Sequence, residues 1–178
     1  MTIKKLTLMA ILTAVALIIF IIEAQIPLPV PVPGVKLGLA NTVTLFALFY
    51  GVDKSEKHNH RPSAFLSCGN VFTILLCRII LGAVFTGRPI VIVYSLAGGV
   101  LAFATMVLMK RFVSDKQVWV CGAIGAVFHN IGQLTAAVII TGTPAIAAYL
   151  PILIIAGVLT GVMTGLIAQF TVMRLKGM

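Results

Sequence analysis

The chain has 178 residues, of which 60% are hydrophobic and only 10% are charged. Soluble domains carry roughly 25% charged residues, so this composition excludes a soluble enzyme and leaves no room for a second, soluble domain. The formal net charge is +9, and in so apolar a chain we expect basic residues to flank membrane spans and meet anionic lipid, with no nucleic-acid partner.

Apolar runs along the chain predict an all-α integral membrane protein, a single transmembrane domain over residues 1–178 with about six transmembrane helices. Each run is close to the roughly 20 residues that cross a bilayer. The last run is longer and is expected to tilt or to begin with a bent segment at Pro151. The predicted spans are approximately residues 6–24, 37–52, 63–85, 90–109, 118–140 and 147–173.

The connection between the first two spans, residues 25–34, contains four prolines at alternate positions. Proline lacks the backbone N–H and restricts the residue before it, so this stretch is not helical. We predict a stiff, extended, polyproline-like loop. The next connection, residues 53–61, is the most polar part of the chain and is expected to lie in water.

Lysine and arginine are distributed unevenly between the two sides of the predicted membrane domain. Ten lie on the side of the termini and two, Lys36 and Arg88, lie on the other, with Arg78 inside a span. Because basic residues concentrate in cytoplasmic loops, we predict a multi-pass protein of the plasma membrane with both termini cytoplasmic. Residues 25–34 then face outward, and we call that side the outer end.

One basic residue lies where it is costly. Arg78 is about eight residues, or roughly 12 Å, from the end of the third span, and an arginine inside a bilayer costs at least ~2.5 kcal/mol. It could extend to the outer headgroups, pair with Glu23 at the outer end of the first span, or bind an anionic ligand such as a carboxylate or phosphate. The sequence leaves these alternatives open.

The fifth span carries three polar residues, and His129 and Gln133 share a face because they are four residues apart. They could form interhelical hydrogen bonds worth about 0.6 kcal/mol each, or line a ligand site. Other polar residues, Ser95 among them, lie at a similar predicted depth. We therefore predict a pocket that opens outward beneath the proline-rich loop. The candidate substrate-binding residues are Asn41, Arg78, Tyr94, His129, Asn130 and Gln133.

Small residues mark two helix faces. Gly157, Gly161 and Gly165 recur every four residues in the sixth span, and Ala10 and Ala14 do so in the first. Such faces allow close helix approach, and internal packing is the favoured explanation for the glycines. The three cysteines lie apart within apolar runs and form no Cys/His cluster, so no metal site is predicted.

Five segments carry a resemblance to a known family: PGVKLGLAN at 33–41, RIILG at 78–82, SLAGG at 95–99, HNIGQ at 129–133 and LTGVMTG at 159–165. Over nearly its whole length the chain resembles the heptaprenyl diphosphate synthase component I family, also called the Gx transporter family. These proteins are similar to the substrate-binding S-components of energy-coupling factor (ECF) transporters.

The resemblance implies capture of a small cofactor- or vitamin-like molecule at the outer end, with the loop after the first helix as a lid. It also implies docking through Ala10 and Ala14 onto a membrane coupling subunit driven by two ATPases. We expect no catalysis by this chain: its two aspartates, Asp53 and Asp115, lie in separate loops and cannot form the aspartate-rich Mg²⁺ motifs of prenyl diphosphate synthesis. It also lacks a GxxxxGK[ST] phosphate loop, so ATP would be used by the partners, and no cofactor is assigned to the chain itself.

Two alternatives remain open. The chain could be a non-catalytic accessory subunit of isoprenoid or quinone biosynthesis, holding a prenyl diphosphate or lipid for a separate catalytic chain. Its pocket would then be apolar and continuous with the lipid phase. It could also be a purely structural membrane scaffold.

Overall fold

The computed structural model describes residues 3–26, 36–51 and 66–177, and it contains no β-strand within these ranges. Two 3₁₀ helices, Asp115–Gln117 and Pro144–Tyr149, precede the last two α-helices. The predicted proline-rich loop, apart from residues 25 and 26, and the polar stretch at 53–61 lie outside the described residues. The α-helices are α1 (Ile3–Glu23), α2 (Asn41–Gly51), α3 (Cys68–Thr86), α4 (Ile90–Lys110), α5 (Val118–Thr141) and α6 (Leu150–Lys176).

The prediction of an all-α, multi-pass membrane bundle is confirmed. Among the described helices, five are long and apolar enough to cross a membrane: α1, α3, α4, α5 and α6. Many of their large apolar side chains point out of the bundle, including Ile155 at 63% exposure and Phe170 at 65%. In a membrane this surface faces the hydrocarbon of the lipids.

The second predicted span is shorter than expected. A helix over residues 37–52 was predicted, but α2 begins only at Asn41, because Gly38 has a left-handed φ of +83° and the next two residues form a turn. At 1.5 Å per residue, the 11 residues of α2 extend about 16 Å, roughly half the hydrocarbon thickness. The predicted end at residue 52 lies outside the described residues.

Other predicted helix limits change for local reasons. α3 begins at Cys68, because the side chain of Ser67 accepts a hydrogen bond from the Asn70 amide and caps the helix there; the predicted start at residue 63 is not described. α6 begins at Leu150 and not at residue 147, because the 3₁₀ helix Pro144–Tyr149 comes before it. The expected bend therefore precedes Pro151.

Glycines hold α5 and α6 in close contact. A Cβ atom added to Gly161 would lie 2.6 Å from the carbonyl oxygen of Gly122, and one added to Gly165 would lie 2.6 Å from Cα of Trp119. A side chain at either position would separate the two backbones. The glycine pattern of the sixth span therefore serves internal packing, as predicted.

The helices alternate in direction. Contacts bring the C-terminal halves of α1, α3 and α5 beside the N-terminal parts of α2, α4 and α6. The half of the bundle that contains these contacts corresponds to the predicted outer end. Most buried polar residues of the helices lie in this half, while Lys110 and Gln169 lie in the other.

Candidate functional site

A short irregular segment, residues 36–40, enters the bundle from the outer end. The Glu23 carboxylate accepts hydrogen bonds from the backbone N–H groups of Gly38 and Leu39, the latter at 3.1 Å. On the opposite side, the N–H of Lys36 donates to Oε1 of Gln133 over 2.8 Å. Non-helical backbone at membrane depth is tolerated where protein buries it or where it lines a cavity. The segment is therefore held between α1 and α5 by its own amides.

Arg78 points into the bundle and not to the headgroups. It is 2% exposed, and its Nη2 donates to Oδ1 of Asn41 over 3.3 Å. The pairing with Glu23 that the sequence left open does not occur as a direct ion pair among the described residues, since Glu23 bonds to the segment amides instead. The two side chains are nevertheless close enough to attract each other electrostatically.

Lys36 supplies a second buried cation. Its side chain folds back over α1, where Nζ lies 3.4 Å from the carbonyl oxygen of Phe20 and 3.1 Å from the centroid of the Phe20 ring. The residue is 6% exposed. A lysine ammonium over an aromatic face gains a cation–π attraction that partly offsets its lost hydration. The site therefore contains two cations, Arg78 and Lys36, and one carboxylate.

The α4 side of the site depends on the lack of a side chain at Gly98. A Cβ atom there would lie 2.6 Å from the carbonyl oxygen of His129 and 2.7 Å from Cγ of Gln133. In the next turn of α5, a Cβ on Gly132 would lie 2.7 Å from the carbonyl oxygen of Ala97. These close approaches bring His129 and Gln133 under the segment at residues 36–40.

These side chains surround a small, partly enclosed cavity. The free space is about 10 Å³, close to the minimum that holds one water molecule. A larger ligand would enter only if lining groups moved apart. The lining residues are Phe20, Glu23, Lys36, Gly38, Arg78, Ser95, His129 and Gln133.

Unpartnered polar atoms are concentrated around this cavity. Six buried side-chain atoms have no hydrogen-bond partner among the residues that the structure describes. Leaving such an atom unpaired costs ~1–3 kcal/mol. Four of the six belong to residues that line the cavity, so several unused donors and acceptors lie in one place. The atoms are Asn41 Nδ2, Arg78 Nε, Ser95 Oγ, His129 Nδ1, Asn130 Oδ1 and Gln133 Nε2.

The structure brings four of the six candidate residues together and separates two. Arg78, His129 and Gln133 line the cavity, and Asn41 contacts it through Arg78. Tyr94 packs in an apolar cluster with residues of α5 and with Ile146. Asn130 points toward α6, where its Nδ2 donates to the carbonyl oxygen of Leu153 over 2.7 Å.

Sequence reasoning missed three lining residues: Gly38, Lys36 and Phe20. Lys36 was counted only as a loop charge that sets topology, although it belongs to the same short motif as Gly38 and Asn41. Phe20 carries no sequence signal that separates it from other apolar residues of α1. Ser95 and Glu23 were noted for their depth but were not among the six candidates.

Ala10 and Ala14 lie elsewhere, on the exposed side of α1. They line an apolar groove of about 480 Å³ between α1 and α3, together with Leu6, Met9, Thr13, Leu17, Thr73, Ile74, Cys77 and Leu81. The groove faces the surroundings of the bundle and not the polar cavity. We call it the α1–α3 groove.

A family model described as heptaprenyl diphosphate synthase component I matches residues 12–56 and 63–171. The match includes at least part of every helix and every described residue that lines the cavity. No curated protein and no solved structure matches the chain significantly. Within the described residues, no group of three or more His, Cys, Asp or Glu side chains is placed to hold a metal ion.

Proposed function

This chain belongs to the heptaprenyl diphosphate synthase component I family, and from that premise we propose that it is the substrate-binding membrane subunit of an ECF-type transporter. The family description names one component of a larger system, which fits a non-catalytic subunit with partners. In this proposal the chain captures a small cofactor- or vitamin-like molecule at the outer face of the plasma membrane. Both termini lie in the cytoplasm.

One observation carries the proposal: four buried polar atoms without a partner among the described residues belong to side chains that line one cavity beneath residues 36–40, those of Arg78, Ser95, His129 and Gln133. A scaffold gains nothing from two buried cations and several unsatisfied amides, each of which is costly in a bilayer. A ligand with polar groups would satisfy them. Arg78 would attract an anionic group, and Asn41 and Gln133 would supply directional hydrogen bonds.

Entry of the ligand requires the cavity to enlarge. The segment at residues 36–40 is the natural moving part, because it precedes α2 and its amides are held by only two side chains, Glu23 and Gln133. It continues directly from the proline-rich stretch that we propose as the lid. Release of these few hydrogen bonds would open the cavity toward the outer end.

Energised transport would require partners, which we propose are a membrane coupling subunit and two ATPases. We place the docking surface at Ala10 and Ala14 in the α1–α3 groove, because small residues there leave room for a partner helix. ATP would be bound by the ATPases and not by this chain.

Native mass spectrometry of the full-length protein, purified in mild detergent from the cells that make it, tests the proposal. We expect a bound small molecule that is lost from Arg78→Gln and retained by Arg88→Gln, whose arginine is exposed at the turn between α3 and α4. Recovery of only ligand-free protein from wild type and from both variants would contradict a substrate-capture role.

A second candidate function is that of an accessory subunit that holds a prenyl diphosphate or lipid for a separate catalytic chain. The position of Phe20 favours it. Phe20 lines the polar cavity, while Leu17, one turn earlier on α1, lines the α1–α3 groove. Movement of the Phe20 ring would connect a polar headgroup site to a lipid-facing groove. Co-purification of a prenyl diphosphate, detected by mass spectrometry of a lipid extract, would favour this function over transport.

A further inference from the structure

We propose that the cavity selects a ligand that carries one net negative charge, such as a carboxylate or a phosphodiester, because Glu23 cancels one of the two fixed cations. The inference rests on the proposed ligand-binding role and narrows the substrate class. In this inference, the function of Glu23 is to set the net charge of the site and not to contact the ligand.

Three charged side chains define the electrostatics of the cavity. Arg78, Lys36 and Glu23 line it and are 2%, 6% and 4% exposed, so each is more than nine-tenths buried. Oε1 of Glu23 accepts two backbone N–H groups, and these bonds together with the nearby cations Arg78 and Lys36 favour the ionised carboxylate. Two cations and one anion leave a fixed charge of one positive unit.

Other groups leave this balance unchanged. Residues 27–35, which join the segment to α1, contain no ionisable side chain in the sequence. Arg88 is exposed at the turn between α3 and α4. His129 is counted as neutral imidazole, because the carboxylate that lines the cavity is already bonded to backbone amides.

The orientation of the three charged groups agrees with the charge balance. The carboxylate of Glu23 is directed to the amides of Gly38 and Leu39, and the ammonium of Lys36 is directed to Phe20. Nε of Arg78 has no partner in the described part of the chain. Arg78 is therefore the cation available to a ligand, and one anionic group neutralises the cavity.

Buried charge must be compensated, so ligands of other charge are disfavoured. A neutral ligand would leave the positive charge of the site without a counter-charge. A diphosphate would bring at least two negative charges to a site that compensates one. The inference therefore separates a singly charged transported molecule from the prenyl diphosphate of the second candidate function.

The test uses small molecules extracted from the cells that make the protein, separated by anion exchange at pH 7 into uncharged, singly charged and multiply charged fractions. Thermal unfolding of the full-length protein in detergent is measured with each fraction. We expect the singly charged fraction to raise the midpoint of thermal unfolding by ~5–10 °C when its active compound is present at about a hundredfold its own Kd. A larger rise in the unfolding midpoint with the uncharged or the multiply charged fraction would overturn the inference.

Glu23→Gln gives the sharper test, because it keeps the size of the side chain and an acceptor oxygen while the fixed charge rises from one to two. We expect its preference to move to the multiply charged fraction, while Arg88→Gln keeps the wild-type preference. An unchanged preference in Glu23→Gln would overturn the inference. If Glu23→Gln does not fold, Lys36→Gln provides the opposite change, and its preference must move to the uncharged fraction.

The two proposals fail in different ways. Stabilisation by the wrong fraction contradicts the charge inference and leaves ligand capture intact. Absence of stabilisation by all three fractions contradicts the proposed function, and the charge inference with it.

Discussion

Arg78 on α3 and Asn41, the first residue of α2, are joined by a hydrogen bond of 3.3 Å between the guanidinium Nη2 and the side-chain oxygen of the amide. This bond turns the arginine into the bundle, although the sequence also allowed it to extend to the headgroups. It also places the guanidinium at the N-terminus of α2, where the helix dipole is positive. Both features make this part of the cavity attractive to an anion.

Replacing Arg78 tests this role directly. We expect Arg78→Gln to weaken binding of the compound that co-purifies with the protein by about ten- to a hundredfold, because a hydrogen bond to a charged group contributes ~1.5–3 kcal/mol. Arg88→Gln is the matched control, since it removes one exposed arginine from the same predicted side of the membrane. Equilibrium dialysis with the purified compound gives the affinities, and equal affinity in wild type and Arg78→Gln would exclude a ligand contact.

The sequence could identify Arg78, Asn41, His129 and Gln133 because a polar residue inside an apolar span is costly wherever it points. It could not separate them from Asn130, because residues 129, 130 and 133 all lie within one turn of α5. The direction of Asn130 depends on the carbonyl oxygen of Leu153 on α6, which is a contact between helices. Such contacts depend on the packing of the bundle and not on spacing within one helix.

The hydrogen bond from the Lys36 backbone N–H to the Gln133 side chain should help to hold the segment at residues 36–40 in place. We expect Gln133→Leu to speed amide hydrogen exchange at Lys36 about fivefold, because loss of a neutral hydrogen bond costs ~1 kcal/mol. Hydrogen exchange with mass spectrometry of peptides that cover residues 36–40 measures the change.

Gln169→Leu provides the control for this experiment. Its side-chain oxygen accepts a hydrogen bond from the Trp119 amide over 3.4 Å, at the other end of α5. Exchange should rise near Trp119 and stay unchanged at residues 36–40. If Gln133→Leu leaves exchange at residues 36–40 at the wild-type rate, Gln133 does not hold the segment.

The position of this segment is also where the sequence prediction of the fold was least accurate. Apolar composition predicted a helix from residue 37, since Leu37, Leu39 and Ala40 are all acceptable in a span. The helix starts later because Gly38 adopts a positive φ and because Glu23 binds the amides of Gly38 and Leu39. Hydropathy records how apolar a stretch is and carries no information on where its amides find partners.

Gly98 offers a test of the close contact between α4 and α5. We expect Gly98→Ala to lower the free energy of unfolding by ~1–3 kcal/mol, because the added methyl group overlaps His129 and Gln133. Gly69→Ala is the matched control: it lies in the first turn of α3, and the nearest atom to its added Cβ is 3.8 Å away. Thermal unfolding in detergent should show a loss for Gly98→Ala and no loss for Gly69→Ala, and equal midpoints would contradict the packing described for the site.

The α1–α3 groove leads to a prediction about partners. Ala10 and Ala14 are exposed on α1 and leave space that two leucines would fill. We expect the double variant Ala10→Leu with Ala14→Leu to lose co-purification of the proposed ATPase subunits by at least tenfold, because the larger side chains prevent close approach of a partner helix. Affinity for the co-purifying small molecule should remain at the wild-type value, since neither alanine lines the polar cavity.

A second double variant tests whether the loss of partners is specific to the groove or follows from any change on α1. Ile11 and Val15 are 55% and 42% exposed on the same helix and do not line the groove. Ile11→Leu with Val15→Leu therefore changes side chains at the same depth and should retain the ATPase subunits. Loss of these subunits from both variants would mean that α1 responds to any change in side-chain shape. Retention in both would place the docking surface elsewhere, because leucines at positions 10 and 14 occupy the space a partner helix needs.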